Sequence, residues 1–248
     1  MNDISMLGVA CGDIAGSIYE WKNYNNEDAK YRPEVLIEQD CRFTDDTAMS
    51  CAVAQGLMNG LENVNSDWIN DSESEKILFD CVQQSMRYWG NKYIDAGYGG
   101  SFIRWLQSDD PQPYGSWANG SAMRVSFAGR VALSLEEAEK LAEITASVTH
   151  NHPLGILGAK AGAGCVYLLL EGKSKSDILD YARKYYDMNF TLDEIRDEYK
   201  FDVSCQGSVP QAIKAFLEED SFSDVISAAI SIGGDSDTIA AIAGALAE

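Results

Sequence analysis

Basic residues are scarce in this chain. Nineteen lysines and arginines stand against 39 aspartates and glutamates, a net charge of −20 over 248 residues. Such a surface repels nucleic acid and anionic membranes, so neither is an expected partner. It also repels a polyphosphate ligand unless bound cations offset the charge locally. Proline is scarce too, at five, and Ala-rich windows recur, which favours helix. Histidine occurs twice; the six cysteines, at 11, 41, 51, 81, 165 and 205, include no C-x-x-C pair and none close to a histidine. That spacing argues against a zinc site or a disulfide framework and fits a reducing, cytoplasmic setting. The N-terminus lacks a basic n-region and its apolar run is broken by Asp13, so no signal peptide is expected. The apolar run Ala161 to Leu170 is too short to span a bilayer.

What is present has helical period. Leu7, Ala10, Cys11, Ile14, Ile18 and Tyr19 recur at three- and four-residue steps. Helices are expected over Ala48 to Met58, Ser74 to Trp89, around Phe102 to Leu106, from Ser134 to Val148, and from Pro153 to Leu170. Others are expected over Ser176 to Met188, Thr191 to Tyr199, Val209 to Glu218 and Phe222 to Ile232. Ser134/Glu137 and Thr191/Glu194 have capping-box spacing, and Ser208-Val209-Pro210 resembles a helix start with an early proline. The best strand candidate, Glu34 to Gln39, is short and isolated. Long polar loops run over Lys22 to Arg42, Asn59 to Ser72 and Ser108 to Asn119, and loops of that length often carry function. With 46% hydrophobic residues and no break in composition, one domain over 1–248 is the simplest reading.

Four constellations carry chemistry. Gly233-Gly234-Asp235-Ser236-Asp237-Thr238 opens the last apolar stretch, and Thr44-Asp45-Asp46-Thr47 opens an upstream one. Acidic residues are ordinary at helix starts. Two matching clusters brought together would repel unless cations lay between them, and all-oxygen donors select hard cations, Mg²⁺ first. Asp13 and Glu20, seven apart, share one helical face. Gly115 to Arg124 offers small residues and free N–H groups suited to a phosphate, with Gly97 to Ser101 a weaker relative. Thr149-His150-Asn151-His152 offers two imidazoles better suited to a ligand hydrogen bond or a helix cap than to zinc.

Taken together these stretches resemble the ADP-ribosylglycohydrolase superfamily, the group of dinitrogenase reductase-activating glycohydrolase and the ADP-ribosyl-acceptor hydrolases. The motifs stand in family order: G-D-x-x-G-S-x-Y-E at 12–20, T-D-D-T at 44–47, G-Y-G at 97–99, N-G-x-A-M-R-V at 119–125, T-H at 149–150, S-V-P-x-A-I at 208–213 and G-G-D-S-D-T at 233–238. The resemblance implies an all-α fold, a compact orthogonal helical domain of ten or more helices with a central binuclear metal site. It implies two Mg²⁺ ions, with Mn²⁺ as a substitute, held by Thr44, Asp45, Asp46, Asp235, Asp237 and Thr238. It implies Glu20 as the catalytic acid/base, and an ADP-ribose groove at Gly97, Tyr98, Gly99, Gly100, Gly115, Ser116, Trp117, Asn119, Gly120 and His150.

The activity implied is Mg²⁺-dependent release of ADP-ribose from a modified protein side chain or small conjugate, with arginine linkage the default. Two alternatives stay open: a non-catalytic ADP-ribose-binding or crystallin-like relative, and a metal phosphohydrolase acting on a nucleotide diphosphate. The chain departs from the family pattern at Ala118, where glycine is frequent. It also ends at Glu248, where many relatives continue with a further helix.

Overall fold

The computed structural model describes residues 5–24 and 30–248. Among these, thirteen α-helices follow one another with a short 3-10 turn at Trp68–Asn70, and no strand forms. Among the described residues the one β-type pairing is an isolated bridge between Ala118 and Ser204. Residues 1–4 lie outside this description, as does the 25–29 part of the polar segment expected over Lys22 to Arg42.

Two helices from opposite ends of the chain form the frame. The first, α1 (Leu7–Tyr24), lies antiparallel to the last, α13 (Ser236–Ala247). The register is read from three glycines one helical turn apart. A Cβ on Gly8 would fall on the backbone of Gly244, one on Gly12 on that of Ala240, and one on Gly16 on that of Asp237. Bare α-carbons let the two helix backbones touch, with no room for a methyl group. Residues Ser236 to Leu246 are buried throughout, because α12 (Phe222–Ser231) and α11 (Cys205–Glu218) close over α13.

The second layer places the rest of the site. α2 (Asp45–Leu61) lies against α3 (Ser72–Lys92) and crosses α1. α7 (Leu135–Ser147) packs on α8 (Pro153–Leu170), and α8 is in turn covered by α6 (Ser126–Val131) and the short α5 (Gly120–Met123). α8 is long and apolar enough to cross a bilayer, but half of it is buried in this core. Its glycines and alanines serve close packing, Gly158 against Cys205 and Gly162 against Val125. α4 (Gly100–Leu106), α9 (Lys175–Ala182) and α10 (Leu192–Arg196) complete the set.

Most expected helices form, with shifted ends. Thr191 and Glu194 make the full capping box, and Pro153 opens α8 at its first position. Ser134 receives Glu137 N–H at 3.1 Å, but Glu137 returns its carboxylate to Leu133 N–H and Trp68 Nε1 instead of to its own cap. Ser208 does not start α11. Ser204 caps that helix one turn earlier, and Pro210 lies inside it. The Ser208 hydroxyl is used elsewhere, accepting a hydrogen bond from Asn119 at 2.9 Å. No strand forms over Glu34 to Gln39, since an isolated run has no partner to satisfy its backbone groups.

The α1–α13 contact predicts a steep response to one carbon. Gly12→Ala should cost roughly 1–3 kcal/mol or more by overpacking, a fall of roughly 2–4 °C in Tm per kcal/mol for a chain of this size. Gly99→Ala, whose added carbon meets nothing within 4 Å, should leave Tm almost unchanged. Thermal melts of both variants check the contact.

Candidate active site

The acidic residues of both clusters meet at the end of the α1–α13 seam. Asp13 and Glu20 project from α1, Asp45 and Asp46 open α2, and Asp235 and Asp237 open α13. Carboxylate oxygens of Asp13, Asp46 and Asp237 lie within 4.8 Å of one another, as do those of Glu20, Asp235 and Asp237. Thr238 Oγ1 donates to Asp46 Oδ2 at 3.1 Å across 192 residues of sequence. The turn before α13 needs Gly233 and Gly234, whose φ values of +79° and +73° are closed to most side chains.

Asp13 organises the first cluster from below. Fully buried, it accepts from Thr44 N–H at 2.9 Å and Thr44 Oγ1 at 2.7 Å. It also accepts from Thr47 N–H at 3.0 Å and from the Thr47 hydroxyl. Four donors on one carboxylate clamp the start of α2 onto α1. Thr44 is the N-cap of α2 and accepts from Asp46 N–H at 3.4 Å. Its hydroxyl donates to Asp13 Oδ1 at 2.7 Å and lies 3.4 Å from Asp46 Oδ2. The sequence motif contained Asp13, but this bracing role was missed. A charged residue in the middle of an apolar helix was the available signal.

Above the acids opens a cleft of 340 Å³. Glu20, Asp45, Asp46, Asp235, Asp237 and Thr238 form its floor, and Gly97 to Gly100, Ser116, Asn119, Gly120 and His150 line its walls. Thr44 lies behind the floor, while Gly115 and Trp117 line an adjoining groove of 370 Å³ that shares Ser101, Tyr114, Ser116, Ala118 and Val203 with the cleft. Every residue expected in the site therefore gathers in one region. Sequence reasoning missed Met49, Tyr114 and Val203, which also line it, and had Met123 and Arg124 only as the end of the 115–124 stretch.

Several side chains have roles narrower than their motif suggests. Asn119 donates to Asp235 Oδ2 at 2.7 Å and to Ser208 at 2.9 Å, so its amide ties the wall of the cleft to the acidic floor. The Tyr98 ring packs on Phe102 with centroids 4.9 Å apart. Ala118 fits its loop through the bridge to Ser204. Exposed Trp117 packs against His152 with ring centroids 5.3 Å apart.

The electrostatics show what burial does to the acidic centre. Burial, followed by the neighbouring carboxylates, pushes Asp46 and Asp237 well above the usual range. Burial likewise pushes Asp235 up to about 6 and Asp45 up to about 7. Glu20 rises to about 8, through burial and then repulsion by Asp237. Asp46 Oδ1 is buried with no hydrogen-bond partner, an arrangement that costs free energy unless something electropositive meets it. Close carboxylates, hydroxyl oxygens and an orphaned oxygen are a donor set that fits hard divalent cations.

Comparison with known proteins agrees along the whole chain. The family model described as ADP-ribosylglycohydrolase matches residues 5–247. The human ADP-ribosylhydrolase ARH3 is 27% identical, over 98% of this chain and 83% of its own. An uncharacterized protein of Archaeoglobus fulgidus is 28% identical, over 97% and 84%. The solved structure of an ADP-ribosylglycohydrolase-related protein complex superposes with a TM-score of 0.66 at 20% identity, covering 98% of this chain and 84% of that one.

The raised carboxylate pKa values fix the sign of a pH effect. A carboxyl group whose folded-state pKa lies above its unfolded value contributes stability in acid and loses it as pH rises through the folded value. Chelator-treated protein should therefore lose stability progressively from about pH 4, where the unfolded carboxyls ionise, up to about pH 8, by which Asp235, Asp45 and Glu20 have ionised in the folded state as well. Millimolar Mg²⁺ should abolish most of that loss. Melts at pH 5 and pH 8.5, each with EDTA and with Mg²⁺, check it; equal pH dependence in both series would contradict the reading.

Proposed function

The chain belongs to the ADP-ribosylglycohydrolase family, and from that membership and the site geometry we propose a divalent-metal-dependent enzyme that releases ADP-ribose from a modified acceptor. The observation that carries this reading is the meeting of Asp45 and Asp46 with Asp235 and Asp237 beside Glu20, at the floor of a cleft, with Asp46 Oδ1 unpartnered. A binding protein without chemistry has no need to bury this many mutually repelling groups. Two Mg²⁺ ions, with Mn²⁺ as a substitute, would be held by Asp45, Asp46, Asp235 and Asp237 with the hydroxyl oxygens of Thr44 and Thr238. There they would polarise the ribose hydroxyls and the attacking water.

The remaining steps belong to the protein. Breaking the bond at the anomeric carbon passes through a transition state with positive charge on the ribose ring. Glu20, half-buried on the floor of the cleft, is the group that holds or moves a proton there. As a carboxylate it accepts the proton of the water and stabilises the positive ring; as an acid, through its carboxyl oxygen, it protonates the leaving group. Asp13 holds Thr44 through Thr47 in place, and Asn119 holds Asp235. The loop from Ser116 to Gly120 and the glycines at 97 to 100 set little bulk against the diphosphate and adenosine.

Arginine is the acceptor proposed first. The chain's net charge of −20 favours approach of a cationic guanidine-bearing peptide. The six cysteines are free, which supports a reducing compartment, and we take that to be the cytoplasm.

Incubation with arginine-, serine- and acetyl-linked ADP-ribose, with Mg²⁺ and with chelator, tests the reading. Free ADP-ribose from the arginine conjugate, only with metal, is the expected result. AMP plus ribose phosphate would indicate a phosphohydrolase, and absence of any product a binding protein. Glu20→Gln should cut turnover by about 10²-fold or more while ADP-ribose still binds. Asp235→Ala should weaken Mg²⁺ binding, as measured by calorimetry.

A further inference from the structure

Arg124 is the largest fully buried side chain among the described residues, 1% exposed, and none of the described carboxylates forms an ion pair with it. Its Nη2 donates to Thr149 Oγ1 at 2.8 Å and to the Thr145 carbonyl at 3.3 Å, while its Nε has no partner. Thr149 Oγ1 lies 2.7 Å from His150 Nδ1. On the other side of the ring, Nε2 faces Gly120 on the cleft wall, where a Cβ would stand 3.0 Å from it. A buried guanidinium, a hydroxyl and an imidazole thus form a chain that ends in the cleft.

We propose that Arg124 and Thr149 are positioning residues that hold His150 as the Nε2–H tautomer, so that it presents a hydrogen-bond donor to an oxygen of the bound ligand. A guanidinium has hydrogens to give and no lone pair to offer. Arg124 therefore fills one of the two acceptor lone pairs of Thr149 Oγ1 and leaves the threonine proton to go elsewhere. The Tyr114 hydroxyl also faces Thr149; burial raises its pKa, so it stays protonated and in this arrangement donates to the second lone pair of Thr149 Oγ1. Nδ1 is then the acceptor for Thr149, and the ring proton must reside on Nε2. The charge of Arg124 beside the ring, added to burial, lowers the His150 pKa well below the usual value. The imidazole stays neutral and its Nδ1 lone pair stays free for Thr149. Gly120 keeps the path from Nε2 into the cleft clear.

The inference takes its ligand, ADP-ribose, from the proposed function, but its central observable does not need the ligand. The chain has only two histidines, so long-range ¹H–¹⁵N correlation on a His152→Gln background reports His150 alone. At pH 7 the expected spectrum has a protonated, pyrrole-type Nε2 and a pyridine-type Nδ1. Thr149→Val should lose that preference and weaken ADP-ribose binding by about three- to tenfold. Thr149→Ser should restore both, which a loss of packing alone would not do. A protonated Nδ1 in the parent protein, or an unchanged tautomer in Thr149→Val, would overturn the inference. Failure of the parent to bind ADP-ribose in Mg²⁺ would instead count against the proposed function, because the tautomer would still be read from the same spectra.

Discussion

Backbone contact between the first and last helices is the constraint on which the site depends. Gly8, Gly12 and Gly16 give α1 a surface with no side chains, and α13 lies directly on it. The same face of α1 carries Asp13 and Glu20, so the contact that closes the fold also delivers two carboxylates to the start of α13. Asp13 then grips Thr44 and Thr47, which fixes the start of α2 at the same point. Three chain segments, separated by most of the sequence, are joined there by one helix pair and one carboxylate.

The arrangement is unfavourable in isolation. Mutually repelling carboxylates are removed from water, and without counter-ions they keep protons well above the range of free aspartate. Folding tolerates this because the surrounding contacts over-determine the geometry: an antiparallel helix seam, a four-donor clamp at Asp13, and the Asn119 tie to Asp235. Strain of this kind, held in place by well-packed neighbours, is the usual physical form of a preorganised site. Arg124 is the opposite charge in the same wall, buried and hydrogen-bonded to Thr149, and it reaches Asp45 through its charge alone.

Particular residues separate what the chain discloses from what it conceals. The helices of strong period were legible because packing and local preference agree there, as in the Thr191/Glu194 capping box. Ser134/Glu137 and Ser208 were misread in part because distant partners, Trp68 and Leu133 in one case and Asn119 in the other, claimed the side chains. The short α5 and α6 carried too few turns to show a period. Asn119 was legible as a loop residue, whereas its hydrogen bond to Asp235, 116 residues away, was not.

The sequence alone determined the residue types of the site and their local setting. Acidic and hydroxyl side chains at two helix starts, glycines before helices and a paucity of cations are properties of short segments, and short-range sterics and capping decide them. The tertiary structure decided which of these groups meet, which ones brace others, and which oxygen is left without a partner. Those facts depend on the α1–α13 seam and on hydrogen bonds between residues far apart in the chain, and no local pattern encodes such distances.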